Sequence, residues 1–230
     1  MTNPVAIVIG AGPGTGAAVA RRFGRDGYDI GLIARGQERL DELGASLEDE
    51  GIRTGWLAID ASDPAQLRAA LERFVEFTGR IDVLVHNVVR RRRAGIEELT
   101  ADELLQDLAA GSTSLLTAVQ AVLPTLRERG SGTVLAVGSG AADRPVPGEV
   151  SLGVQKAALR NLTRAMAAEL GAEGIHVATV VVRGRIAKGS ALSPDTVAAL
   201  LAGITAETDG PQENWRTVVD LTPFGPNTVS

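Results

Sequence analysis

The stretch VAIVIGAGPGTGAAVARRF, from Val5 to Phe23, carries two periodicities with a turn between them. Val5–Ile9 is continuously apolar, as a strand covered on both faces should be. From Gly14 to Arg25 the apolar residues recur at helical spacing. Between strand and helix, Gly10, Gly14 and Gly16 keep a G-x-x-x-G-x-G spacing, with Gly12 as an additional glycine and Thr15 beside the last. Glycines in such a turn let the chain bend sharply, let backbone N–H groups approach a pyrophosphate, and let the helix close on the strand. Between a first strand and an amphipathic helix, the pattern predicts a dinucleotide cradle of Gly10, Gly12, Gly14, Thr15 and Gly16.

The alternation continues outward. Asp29–Ala34, Thr54–Ile59, Val83–His86, Thr133–Val137, His176–Val182 and Trp215–Asp220 read as further buried strands. Glu38–Glu50, Pro64–Thr78, Ala101–Arg129, Glu149–Leu170 and Ser193–Leu201 read as helices. Asp63-Pro64 and Ser193-Pro194 supply an N-cap followed by a first-turn proline. This order predicts an α/β fold: a Rossmann-like, doubly wound parallel sheet of about seven strands with helices on both faces. A single dinucleotide-binding domain over 1–230 is expected, and the Pro- and Gly-rich tail 221–230, LTPFGPNTVS, reads as irregular.

Composition narrows the function. With 44% hydrophobic and 22% charged residues a core can form, and a net charge of −5 offers no basic field for nucleic acid. There are no cysteines, which excludes disulfides, thiolate metal sites and a cysteine nucleophile and suits a reducing cytoplasm. The first apolar run is too short to span a membrane and no cationic segment precedes it. The expectation is a soluble, cytoplasmic protein with a small-molecule substrate and no metal, nucleic-acid or membrane partner.

Arg35 follows the second strand, where the adenosine ribose of a dinucleotide would lie. An acidic residue there accepts from a 2′-hydroxyl; an arginine pairs with a 2′-phosphate, which favours NADP(H) over NAD(H). Asp60, at the end of the third strand, can accept from the adenine amino group or cap the turn before Pro64.

Together these residues resemble the short-chain dehydrogenase/reductase (SDR) family along nearly the whole chain. HNVV, His86–Val89, is similar to that family's N-N-A-G segment with Asn87 kept. GTVLAVGSGAA resembles the strand that delivers a catalytic serine, here Ser139, and SLGVQKAALRNLTRAMAAEL resembles the catalytic helix, with Lys156 as its lysine. The resemblance implies a tetrad of Asn, Ser, Tyr and Lys. Its tyrosine position, four residues before the lysine, holds Leu152, and its asparagine position falls on Gly111. The physical logic stands by itself: hydride reduction of a carbonyl puts negative charge on oxygen, which needs a hydrogen-bond donor and then a proton. Lys156 is expected to hold the nicotinamide ribose and Ser139 to polarise the oxygen. The chain's one tyrosine, Tyr28, lies on the adenosine side. His86 reads either as an acid–base group or as a histidine hydrogen-bonded beneath the cofactor, and His176 as structural. Ser151, one position from Leu152, is turned away by about 100° and does not replace the phenol.

The run Arg90–Arg93 follows Asn87 at a carboxyl end of the sheet. Either one or two of these arginines, Arg90 first, hold an anion, or the run is a solvated loop. Leu152 and Arg183 are further candidates for substrate contact. The resemblance implies a substrate lid at 185–214, and the compactness of that stretch, with one clear helix, suggests an open or partner-completed pocket. Three functions fit: an atypical NADP(H)-dependent reductase or dehydrogenase; a non-redox dehydratase, cyclase or isomerase on the same scaffold; or a silent nucleotide-binding protein. The resemblance also implies a homodimer or homotetramer joined through the helices Ala101–Arg129 and Glu149–Leu170.

Overall fold

Strands and helices alternate as the pattern predicts over residues 3–228, which the computed structural model describes. In chain order they are β1 (Val5–Ile9), α1 (Thr15–Arg25), β2 (Asp29–Ala34), α2 (Gln37–Asp49), β3 (Thr54–Ala58), α3 (Pro64–Thr78) and β4 (Val83–His86). There follow α4 (Ala101–Leu108), α5 (Ser114–Arg129), β5 (Gly132–Ser139), α6 (Val150–Leu170), β6 (Ile175–Val182), α7 (Pro194–Thr205), β7 (Val218–Thr222) and β8 (Gly225–Thr228). The sheet order is β3-β2-β1-β4-β5-β6-β7-β8, parallel throughout except for β8. Eight strands thus stand where about seven were expected.

The strands are apolar on both faces because both are covered. Ala6 and Val8 of β1 pack with Phe23 of α1, Leu40 of α2 and Leu201 of α7. Val5, Ile7 and Ile9 face the other way, toward Leu71 of α3, Leu115 of α5 and Leu159 of α6. This period-two division produces two cores with the sheet between them. Asp63 caps α3 as expected, accepting from the amides of Ala65 and Gln66 at 2.9 and 3.1 Å, and Asp60 caps the turn before it through the Ser62 amide. Thr100 and Glu103 close α4 with a capping box.

Two expectations need correction. Ala101–Arg129, read as one helix, is interrupted by a π turn over Ala109–Thr113. The extra residue rolls Ala110, Gly111 and Ser112 inward against α6, where the Ser112 hydroxyl donates to the Gln155 carbonyl at 3.0 Å. By length and composition this joined helix could cross a membrane, but Leu115, Val119, Val122 and Leu126 sit in the core. The tail is not irregular: β8 pairs antiparallel with β7, Leu221 opposite Pro226. Its prolines and glycine serve a tight hairpin, with Gly225 at φ 114° and the Thr222 hydroxyl donating to the Gly225 carbonyl at 2.9 Å. Positions 229–230 of that tail lie outside the described residues, as do 1–2.

The strand order reverses between β1 and β4, since the chain runs outward from β1 through β3 before returning to β4. Ligands of open α/β sheets bind at the carboxyl ends flanking such a switch point. The glycine loop after β1 and Asn87 after β4 both lie there.

Candidate active site

At the switch point the loops are bolted together. Asn87 donates through its backbone amide to the Ile9 carbonyl at 2.8 Å and through Nδ2 to the Gly10 carbonyl at 2.9 Å. Gly10 sits at φ 87°, and a Cβ there would stand 2.5 Å from the Asn87 carbonyl oxygen. A Cβ on Gly16 would stand 2.5 Å from the Gly10 carbonyl, so that glycine lets α1 close on β1. Gly12 and Gly14 behave differently: a Cβ on either would meet nothing within 4 Å. No side chain caps the start of α1 at Gly14. The loop therefore presents an open surface and an uncapped helix N terminus, the arrangement that accepts a pyrophosphate.

A groove runs to both sides of this loop. Its outer arm is a cavity of about 780 Å³ between the ends of β1, β2 and β3, lined by Gly10, Gly12, Arg35, Asp60, Asn87 and Arg90 among others. Arg35 is exposed at its edge and makes no ion pair among the described residues. Asp60 accepts from the Ser62 amide and hydroxyl at 2.9 and 2.7 Å and faces the Arg90 guanidinium at 3.7 Å. Burial would raise its pKa, but the Ser62 bonds, with Arg35 and Arg90, hold it below the usual carboxylate value.

The inner arm is a cavity of about 460 Å³ that reaches Ser139, Leu152 and Lys156 and shares Gly12, Asn87 and Val89 with the outer arm. Ser139 ends β5; its Oγ accepts from the Ala141 amide at 3.2 Å, leaving the hydroxyl hydrogen free to donate. Lys156 is buried, and its ammonium donates to the carbonyls of Val137 at 2.8 Å and Val88 at 3.4 Å. Two of its three hydrogens are thus used and one remains. Burial, with a smaller contribution from Arg91, pushes its pKa down to about 8. Leu152 is 7% exposed and forms apolar wall on the same helix face as Lys156. Ser151 points elsewhere, accepting from Gln155 Nε2 at 3.3 Å in the interior.

Gly111, at the expected asparagine position, is filled from outside. The buried Gln155 amide lies where a side chain on Gly111 would go. It clamps Arg90, donating to its carbonyl at 2.9 Å and accepting from its amide at 3.2 Å. Sequence reasoning passed over Gln155; its only signals were its place beside Lys156 and a glycine opposite.

His86, His176 and Arg183 fall outside the groove. His86 is fully buried, its Nε2 2.7 Å from the Ser114 hydroxyl. That hydroxyl donates to the Ala110 carbonyl at 2.6 Å, so Nε2 carries the imidazole proton. Burial, aided by the Lys156 charge, pushes its pKa down to about 3, and it stays neutral at ordinary pH. His86 is a hydrogen-bonded core residue, not an acid–base group. His176 stacks on Trp215 at 4.9 Å and bonds the Arg216 carbonyl at 3.0 Å, at the opposite end of the sheet. Arg183, expected at a substrate, instead directs its guanidinium to Asp220 at 2.8 Å and to Asp143. The Arg90–Arg93 run divides its tasks: Arg90 borders the outer arm, Arg91 the inner, and Arg92 is held by Glu103 and the buried Asp107 at 2.7 and 3.0 Å.

Comparison with known proteins agrees with this geometry. The profile of the family described as short chain dehydrogenase matches residues 4–186. Human Dehydrogenase/reductase SDR family member 4 is 32% identical over 181 residues, which are 77% of this chain and 64% of that protein's length. Oxidoreductase UcpA of Escherichia coli K12 is 31% identical over 178 residues, 77% of this chain and 67% of its own. A short chain dehydrogenase of Burkholderia cenocepacia J2315, solved in complex with NADP, is 29% identical with a TM-score of 0.84, over 94% of this chain and 95% of that one.

Proposed function

This chain belongs to the short chain dehydrogenase family, and from that premise we propose that it is an NADP(H)-dependent oxidoreductase of a small-molecule carbonyl or alcohol that works without the usual phenol. One observation carries the reading: two adjoining cavities that share Gly12, Asn87 and Val89 reach from the unpaired Arg35, past the open faces of Gly12 and Gly14, to Ser139 and Lys156. A dinucleotide fits its donor set. Arg35 would pair with a 2′-phosphate, Asp60 would accept from the adenine amino group, and the Gly12–Gly16 backbone would cradle the pyrophosphate. Thr15 opens α1 beside that cradle, and Asn87 keeps the loop in shape from below. Lys156 would grip the nicotinamide ribose with its remaining hydrogen.

When bound, the nicotinamide supplies or accepts a hydride. The chain's own residues then handle the oxygen and its proton. Ser139 donates to the oxygen on which charge develops, and Lys156 or a water beside it delivers the proton. Without the phenol, turnover should be slower by a factor of about 10² to 10⁴ than with it.

Leu152 favours a second reading, a non-redox dehydratase, cyclase or isomerase, because an apolar wall stands where a proton donor would be needed for reduction. Titration with NADPH, NADP⁺ and NADH separates the two. Micromolar binding with NADPH preferred, followed by carbonyl-dependent loss of NADPH, supports the redox reading; absence of nucleotide binding sinks it.

The remaining attributes belong to the same proposal. The protein works in the cytoplasm as a homodimer or homotetramer, and the exposed Leu105, Leu116 and Val154 of α4, α5 and α6 support association through those helices. Of the expected lid segment 185–214, Arg185 and Ile186 line the inner arm, whereas α7 packs in the core, with Val197, Ala198 and Leu201 buried, so a lid is confined to the residues before α7. All of this sits in one dinucleotide-binding domain.

A further inference from the structure

Among the residues lining the inner arm, Arg91, Lys156 and Arg185 are cationic and none is Asp or Glu. That imbalance occurs in a chain whose net charge is −5. Nearby arginines are neutralised: Arg92 by Glu103 and Asp107, Arg183 by Asp143 and Asp220, and Arg90 by facing Asp60. Arg91 and Arg185 make no ion pair and no side-chain hydrogen bond among the described residues, and both are exposed at the mouth. They come from different loops, Arg91 from the loop after β4 and Arg185 from the loop after β6. Arg91 is also close enough to Lys156 for its charge to weaken that ammonium's hold on its proton. Three like charges around 460 Å³ with no counter-charge repel one another, and an anion in the cavity relieves them all. Beside Ser139 and Lys156 the cavity has an apolar side, formed by Val89, Val137, Leu152 and Val182.

We propose that the substrate is a small, mainly apolar carbonyl compound or alcohol bearing a carboxylate, seated at the mouth by Arg91 and Arg185 with its apolar body against Leu152. The assignment rests on reading the groove as a nucleotide site whose reactive end is at Ser139 and Lys156. A carboxylate suits the seat because a guanidinium fork matches its planar pair of oxygens.

The experiment is calorimetry with 2-oxo-4-phenylbutyrate, its methyl ester and phenyl phosphate, on the protein saturated with NADP⁺ and on the protein alone. Nucleotide affinity is measured separately. The acid should bind at least about tenfold more tightly than its ester. Arg91→Ala should remove most of that preference while leaving ester and nucleotide affinity within about twofold, and Arg91→Lys should keep part of it. Equal affinity for acid and ester overturns the proposal. So does tighter binding of phenyl phosphate, or an Arg91→Ala/Arg185→Ala pair that weakens NADP⁺ and spares the acid. If nucleotide fails to bind while the acid–ester preference persists on the protein alone, the anion seat stands and the redox reading falls.

Discussion

The amide of Gln155 occupies the space that a side chain on Gly111 would need, and from there it holds both backbone polar groups of Arg90. The two residues form one unit: the glycine makes room, and the glutamine fixes the loop that carries Arg90 and Arg91. Restoring an asparagine at Gly111 alone should therefore overpack the site at a cost of about 1–3 kcal/mol. For a chain of this size that lowers the melting temperature by roughly 2–4 °C per kcal/mol. Gln155→Ala should destabilise less, and the Gly111→Asn/Gln155→Ala pair should recover most of the loss. Additive losses in thermal melts would show that the two side chains do not compete for one space.

Arg35 stands unpaired at the end of the outer arm, near enough to Asp60 to lower its pKa. A guanidinium–phosphate contact is worth about 1.5–3 kcal/mol, so Arg35→Ala should weaken NADPH by roughly ten- to a hundredfold and leave NADH nearly unchanged. Fluorescence titration of the two nucleotides checks this. A parallel loss for both would place Arg35 outside the 2′-phosphate site.

Leu152 lines the inner arm four residues before Lys156, so a tyrosine there would extend its hydroxyl into the cavity on the lysine's face. For a reductase limited by its proton path, Leu152→Tyr should raise kcat by about 10² or more, within the range a positioned acid contributes. Carbonyl-dependent NADPH oxidation reads the effect. An unchanged or lower kcat in a variant that still binds NADPH would favour non-redox chemistry.

Much of the fold was legible because its evidence is local. β1, β2 and β4 match their predicted bounds, being apolar runs flanked by Gly, Asp or Asn. The π turn was not legible: Ala109–Thr113 carries an ordinary helical pattern, and only packing of Ser112 on α6 gives the extra residue its place. The tail misled for the opposite reason, since Pro223 and Gly225 signal a turn but not whether a neighbouring edge is free to pair. In the site, the glycine loop is contiguous and could be read directly. Arg183 and Arg185 could not be told apart in sequence, because the acids that neutralise Arg183, Asp143 and Asp220, come from distant segments. The same distance hid the match between Gln155 and Gly111.

His86 ties stability to acid pH. Its folded pKa, about 3, lies below the ordinary value of 6.5, so the unfolded chain takes up a proton that the folded chain refuses. Stability is therefore whole above about pH 6.5 and falls as pH drops toward the folded value, by up to about 1.4 kcal/mol per pH unit. His86→Leu with Ser114→Ala removes the histidine and its partner together. Chemical denaturation between about pH 4 and 6 should then show a slope shallower by nearly one proton. His176, whose pKa burial also lowers, should still contribute its share. An unaltered slope would mean that His86 accepts a proton without unfolding.

Lys156 has the complementary dependence. With its pKa pushed down to about 8 from 10.5, the folded state gives up its proton before the unfolded state does. The unfolded chain holds more protons between those values, so this lysine makes stability rise with pH across that window. Activity should move the other way: as proton donor, Lys156 must be charged, and kcat for carbonyl reduction should fall as pH rises through its pKa. The phosphates of a bound nucleotide favour the charged form, so the falling limb should lie at or above about 8. Lys156→Arg keeps the charge but cannot release its proton in this range; it should lower kcat and abolish the limb while NADPH still binds. A falling limb that survives in Lys156→Arg would assign the proton to another group, and a flat profile in both proteins would assign it to water.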